Sequence, residues 1–276
     1  MLKRTISGLV GVVLVLALLV FNQSIPILLN IIVALVCASA TYEIFSAMGI
    51  YKMVEITLPS IIFSIIMPIF GFGFVWQISW YLYTFIIFCM LVFLHRALSF
   101  KDIAVIYSMT MLISISLGYL IKLRDFGGQN FGTFYVLLGL AIPWLCDTGA
   151  YFSGKFFGKR KLCPEISPKK TIAGVVGGII ISTLLTLLVC VICKMYFLKV
   201  NVNVHYFKIA IIAVIASIIS VMGDLIFSMV KRGCHIKDFG NIIPGHGGIL
   251  DRFDSVIFTV PFIYIILRYV NIVSLL

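Results

Sequence analysis

Nine apolar stretches dominate this 276-residue chain, at 6–21, 25–48, 56–75, 78–95, 103–121, 131–152, 171–193, 206–230 and 255–273. A helix of about 17–25 apolar residues matches a hydrocarbon core roughly 30 Å thick. Within lipid, such a segment must pair its own backbone N–H and C=O groups, which an α-helix does. The expected fold is therefore all-α: a polytopic integral membrane protein with about nine transmembrane helices. Composition agrees, since 62% of residues are hydrophobic and only 11% charged, against about 25% charged in a soluble domain. The first stretch follows Lys3 and Arg4 as a signal-peptide core would. No small-residue cleavage site follows Leu19-Val20-Phe21, so this segment is expected to be retained.

The formal net charge of +11 would point to nucleic acid in a soluble protein. In a polytopic one it reflects the excess of Lys and Arg in cytoplasmic loops, and no nucleic-acid partner is expected. With the N-terminus inside, Lys3, Arg4, Lys52, Arg96, Lys101, the six bases of 155–170, Lys231, Arg232, Lys237 and Arg252 face the cytoplasm. Those are fifteen of the 21 Lys and Arg residues; Lys122, Arg124, Lys194, Lys199, Lys208 and Arg268 fall on the other side. The N-terminus and both charged loops are thus expected to be cytoplasmic, in a bacterial cell membrane. Of seven cysteines, Cys37, Cys89, Cys146, Cys190 and Cys193 lie in apolar stretches and read as packing residues. Cys234, His235 and His246 lack the paired spacing of a zinc site.

Acidic residues divide the chain. Residues 1–140 hold Glu43, Glu55, Asp102 and Asp125, of which all but Glu43 lie near segment ends; 141–276 hold Asp147, Glu165, Asp224, Asp238, Asp251 and Asp254. The first part reads as a helical scaffold with lipid access. The second reads as the functional region, with loops at 153–170 and 231–254. Glu43 is assigned an interfacial pairing role. Gly174-x-x-x-Gly178 opens the seventh segment, where small residues let helices approach closely.

Three constellations carry chemistry. Asp147 lies five residues inside its segment, roughly 8 Å deep at the helical rise. Tyr151 shares its face, and Lys155, Lys159, Arg160 and Lys161 follow. Ser167-Pro168-Lys169-Lys170-Thr171 then leads into the next helix, either as a turn that fixes topology or as an anion clamp. Asp224 sits in the eighth segment with Ser228 and Lys231 on its face. It is either a buried acid neutralised by Lys231 or a metal ligand. In 233–254, Pro244-Gly245-His246-Gly247-Gly248 exposes backbone amides that suit an anion. Asp251 and Asp254 flank Arg252 and share a face if helical. Charges near lipid are expensive and mark a functional site by default. Carboxylates hold a hard divalent cation, while bases and glycine amides hold phosphate oxygens. No P-loop, Gly-x-Ser-x-Gly or His-Glu-x-x-His occurs.

The segment 228–254 resembles the signature of the phosphatidate cytidylyltransferases (CDP-diacylglycerol synthases). The resemblance rests on Ser228, Val230, Lys231, Arg232, Lys237, Asp238, Gly240, Ile243, Pro244, His246, Gly247, Gly248, Ile249, Asp251, Arg252, Phe253 and Asp254. Residues 147–174 are similar too, through Asp147, Ala150-Tyr151, Gly154, Gly158-Lys159, Leu162, Pro164, Ile166-Ser167-Pro168, Lys170-Thr171 and Gly174. The family commonly has Glu where this chain has Ala173. The resemblance implies condensation of CTP with phosphatidic acid to CDP-diacylglycerol and pyrophosphate by a homodimeric, Mg²⁺-dependent enzyme, with a monovalent cation such as K⁺ nearby. It implies catalytic roles for Asp147, Asp224, Lys231 and Asp251, and metal ligation by Asp224, Asp251 and Asp254. Ser167, Lys169, Lys170, Ser228, Arg232, Lys237, His246, Gly247, Gly248 and Arg252 would bind substrate. Two alternatives stay open: a CTP-dependent enzyme acting on another lipid phosphate (ether or polyprenyl), and a cation- or proton-coupled transporter.

Overall fold

The structure, a computed structural model, describes residues 25–196, 202–242 and 247–275. The apolar stretch at 6–21 lies outside the described residues. Eight helices follow in order: α1 Ile27–Ala47, α2 Val54–Phe70, α3 Phe74–Phe93, α4 Phe100–Gly128, α5 Phe131–Phe157, α6 Ile172–Tyr196, α7 Tyr206–Gly233 and α8 Leu250–Leu267. Six of them (α1 and α3–α7) are long and apolar enough to cross a bilayer. The protein is a multi-pass integral membrane protein. Two expected spans fall short of that standard. α2 has only 17 residues, and α8 begins with Asp251, Arg252 and Asp254. The last expected span also ends early. After Leu267 the chain turns and forms a strand, which the β-branched Ile272 and Val273 favour.

The all-helical expectation missed two small antiparallel pairs. Strand β1 (Lys161–Cys163) pairs with β2 (Ser167–Thr171), with Lys161 opposite Thr171. Strand β3 (Val202–Val204) pairs with β4 (Val273–Leu275). The segment Ser167–Thr171, read from sequence as a turn or clamp, is thus a strand.

The chain forms two compact units. One is drawn from the chain up to Lys122 and from Cys234–Phe253; the other comprises Leu123–Gly233 and the chain from Asp254 onward. In the first unit, buried polar groups secure helix ends and helix contacts. Asn30 Nδ2 of α1 donates to Pro68 O at 2.9 Å, satisfying a carbonyl at the α2 C-terminus that has no helical partner. Ser99 and Asp102 form a capping box at the start of α4: Ser99 N and Oγ donate to Asp102 Oδ2 at 2.9 and 2.7 Å, and Asp102 N donates back at 3.3 Å. Phe63 stacks on Tyr83 with ring centroids 4.6 Å apart. Tyr83 hydroxyl meets Ser60 Oγ at 3.2 Å.

Between α4 and α5 the helical path breaks at Gly128, whose φ of 58° glycine adopts without the steric cost other residues incur. In the second unit α5 and α6 pack through small residues, as the Gly174/Gly178 spacing predicts. A Cβ on Gly178 would lie 2.9 Å from both Ala150 Cβ and Cys146 O, and one on Gly174 would lie 3.3 Å from Gly154 Cα. Helix backbones meet this closely only where side chains are absent or minimal. Ser182 Oγ of α6 donates to Ile142 O at 2.9 Å, adding a polar tie.

Candidate functional site

The β1–β2 hairpin positions the first part of the site. Its apolar residues Leu162, Cys163 and Ile166 pack on buried Cys146, Val221 and Leu225, so the hairpin is seated on α5 and α7. Alternation along β2 then separates its two lysines: Lys169 is exposed, and Lys170 is half-buried. Lys170 Nζ lies 2.5 Å from Asp224 Oδ2 and donates to Val221 O at 3.4 Å. At the end of the strand, Thr171 Oγ1 accepts from Gly174 N at 3.1 Å and so caps α6. Ser167 also lies in β2, half-buried, at the other end of the strand.

Helix α7 continues to Gly233, one turn farther than its apolar pattern, and carries Lys231 and Arg232 in its last turn, where a cation complements the helix dipole. Ser228 Oγ donates to Asp224 Oδ1 at 3.4 Å, as their spacing predicts. Of the two readings of Asp224, the one that pairs it with Lys231 on its own helix meets a different arrangement. Lys231 does not neutralise it; Lys231 Nζ instead pairs with Asp254 Oδ2 of α8 at 3.5 Å, and both residues are buried. The reason is geometric. About two turns toward the C-terminus from Asp224, Lys231 meets α8, while the hairpin delivers Lys170 to Asp224. Gly223, beside Asp224, lets α8 come close: a Cβ there would lie 3.0 Å from Phe258 and 3.1 Å from Asp254 O.

Asp147 joins the same group. Its Oδ2 accepts from Ser255 Oγ at 3.2 Å, and the charges of Asp224, Asp254 and Lys170 all act on it. Ser255 N in turn donates to Asp254 Oδ1 at 2.8 Å. The second unit thus gathers three carboxylates (Asp147, Asp224, Asp254) and two ammonium groups (Lys170, Lys231) around two serines. The Asp147 side of this cluster is open and the Asp254–Lys231 side is closed. Such a cluster can accept a cation between carboxylates and an anion beside the lysines.

Within the first unit, the signature segment is held differently. Asp251, in the first turn of α8, accepts from Phe239 N and Gly248 N at 2.9 Å each through Oδ2. Gly247 has φ 83°, a left-handed conformation, and a Cβ there would lie 2.9 Å from Asp251 Oδ2. Arg232, Lys237 and Arg252 are exposed. His246 lies outside the described residues. Sequence reasoning gave Glu43 only a general pairing role. Its carboxylate accepts from Ile249 N at 2.9 Å and Leu250 N at 2.8 Å. Its place as the sole charged residue of α1 was the signal that could have singled it out.

Magnesium prefers oxygen ligands and commonly takes only one or two carboxylates, completing its shell with water and substrate phosphates. Asp224 and Asp147, both reachable and both hard donors, fit that pattern. Among the described residues, no three His, Cys, Asp or Glu side chains close into a cage that would hold an ion alone. The donor set suits an ion shared with a phosphorylated ligand.

Fold and site together define a helical, multi-pass membrane protein with acidic and basic side chains interleaved in one cluster. Residues 2–270 match the cytidylyltransferase family, and the chain belongs to it. It is 38% identical over 176 residues to the phosphatidate cytidylyltransferase of Bacillus subtilis strain 168, covering 64% of this chain and 62% of that protein. Proteins of the same name from Staphylococcus saprophyticus and Staphylococcus haemolyticus are each 39% identical over 184 residues, covering 67% of this chain and 66% of theirs. The matched part of the chain thus spans just under two thirds of the length of these curated relatives.

Proposed function

We propose that this protein is a phosphatidate cytidylyltransferase, joining CTP to phosphatidic acid to give CDP-diacylglycerol and pyrophosphate. The observation that carries the reading is the family match over residues 2–270; the Asp147–Lys170–Asp224 group supports it by bringing Asp147 and Lys170 of the family pattern together with the acid of α7. In the reaction a phosphate oxygen of phosphatidate attacks the α-phosphorus of CTP. A P–O bond forms there as the α–β bridging P–O bond breaks, and pyrophosphate leaves. A phosphate monoester is already a nucleophile, so no covalent enzyme intermediate is required. The protein's contribution is positioning and charge stabilisation.

Lys170 and Lys231, with Arg232, are assigned to the triphosphate, where their charge offsets the repulsion between two anionic substrates. Lys169 and Lys237, exposed, would draw the nucleotide from solution, and Arg252 would join them. Asp224 is assigned as a magnesium ligand, with Asp147 and Asp254 beside it; the signature adds Asp251 on sequence resemblance. When bound, Mg²⁺ supplies charge neutralisation and alignment for an in-line displacement. Ser228 and Ser255 orient the Asp224 and Asp147 carboxylates through their hydroxyls. Asp254 holds the Lys231 ammonium in place. The charge bias of the loops supports a site facing the cytoplasm, and the family resemblance supports a homodimer, which cross-linking in native membranes would test.

The decisive assay combines purified protein, CTP, Mg²⁺ and phosphatidate and follows CDP-lipid and pyrophosphate, with magnesium omitted as control. Wild type is expected to turn over. Asp224→Asn is expected to lose at least about 10²-fold in rate while still eluting as folded protein, because it removes a ligand and not core volume. No product from wild type across lipids and metals would remove the reading. Competition by a polyprenyl or ether-lipid phosphate that outpaces phosphatidate would redirect it to another lipid.

A further inference from the structure

We propose that Glu43 is a positioning residue for the signature segment: its carboxylate fixes the start of α8, and with it Asp251 and the Gly247-Gly248 turn, in the arrangement nucleotidyl transfer requires. The inference rests on the reading that this segment serves that reaction.

Glu43, in the last turn and a half of α1, is 2% exposed. Oε1 accepts from Ile249 N at 2.9 Å and Oε2 from Leu250 N at 2.8 Å, two amides at the opening turn of α8. A helix start leaves such N–H groups without partners and carries positive potential, so a carboxylate there is doubly favoured. Two glycines of the signature press on the same carboxyl. A Cβ on Gly240 would lie 2.5 Å from Glu43 Oε1, and one on Gly248 would collide with Oε2. Four backbone positions, 240 and 248–250, therefore converge on one side chain. Asp251 completes the clasp by accepting from Phe239 N and Gly248 N.

A local Ser, Thr, Asp or Asn ordinarily closes a helix start. Here Gly248 and Ile249 stand at that place and have no such side chain. The chain instead uses a buried acid 206 residues away. Charge-assisted bonds of this kind are about twice as strong as neutral ones, and they define direction as well as distance. The result is a signature segment tied to α1 through its backbone amides and braced internally by the Asp251 carboxylate.

The test compares full-length wild type, E43Q and G240A in detergent, measuring kcat, KM for CTP, melting temperature and hydrogen exchange at 247–251. Gln keeps one acceptor but turns an NH₂ toward the second amide; the G240A methyl displaces the same carboxyl from the other side. Each variant is expected to lower kcat about tenfold or more with KM for CTP within about twofold, because misplacement is felt in the transition state. Amide exchange at Ile249 and Leu250 is expected to rise in E43Q. Wild-type kcat in both variants, or a rise in KM alone, overturns the proposal. If neither variant folds, Glu43 is only an anchor and the positioning role is likewise overturned. An inactive wild type would sink the functional reading instead; unchanged exchange in E43Q would then still overturn the clasp.

Discussion

Lys170 and Lys231 each meet a carboxylate, yet the two pairs differ physically. Lys170 and Asp224 keep 21% and 25% of their side chains exposed, whereas Lys231 and Asp254 keep 11% and 7%. An open pair exchanges readily with water and gains little stability, about 1 kcal/mol or less. An enclosed one leaves a buried, uncompensated charge when either partner is removed, at a cost of roughly 3–5 kcal/mol. Lys231→Ala is therefore expected to destabilise the protein clearly more than Lys170→Ala, read by denaturation in mixed micelles. Equal losses would mean that both pairs are similarly solvated. The open pair is the one that parts more readily. Sequence spacing identified Asp224, Ser228 and Lys231 as face-sharing residues but not this pairing. Helical periodicity fixes who is adjacent on one helix, whereas the hairpin that delivers Lys170 arises 51 residues upstream of Val221. Glu43 was under-read for the same reason, since its partners lie more than 200 residues away.

At the level of elements, hydrophobic runs located the described helices well, because length and apolarity are what lipid demands. They failed where polar sequence adopts regular structure. Ser167–Thr171 carries Pro and two Lys and has no strand-like alternation of apolar residues, yet it pairs with β1 because the hairpin buries Leu162, Cys163 and Ile166 below it. The end of the chain was mistaken for helix because apolar content alone does not separate strand from helix over so short a run. Close packing at the start of α6 was legible from Gly174 and Gly178, though not that α5 is the helix met there. Gly178→Leu is expected to cost at least about 1–3 kcal/mol, because the added atoms meet Ala150 and the Cys146 carbonyl with no room to relax. Thermal melting in detergent would register it, and an unchanged midpoint would place the contact elsewhere.

For the whole molecule, charge bias predicts an orientation, and the second unit offers a way to test it. Lys155 lies at the end of α5 and Lys208 at the start of α7, with the 25 residues of α6 on the path between them. A helix of that length spans roughly 37 Å, enough to separate two faces of a bilayer. A Cys in place of Lys155 is expected to resist a membrane-impermeant reagent until cells are opened, whereas a Cys in place of Lys208 should react from outside. The reverse pattern would invert the expected topology and count against the proposed cytoplasmic site.

The Glu43 clasp also has a history in time. At about 5–20 residues per second, the ribosome needs on the order of 10–40 s to add the 206 residues that separate this acid from its first amide partner. Through that interval the newly inserted α1 carries a carboxylate whose eventual donors have not been synthesised. Biogenesis must therefore shelter it, by water, translocon or proton, until α8 arrives, and a nascent chain stalled earlier would present that acid to the quality-control machinery.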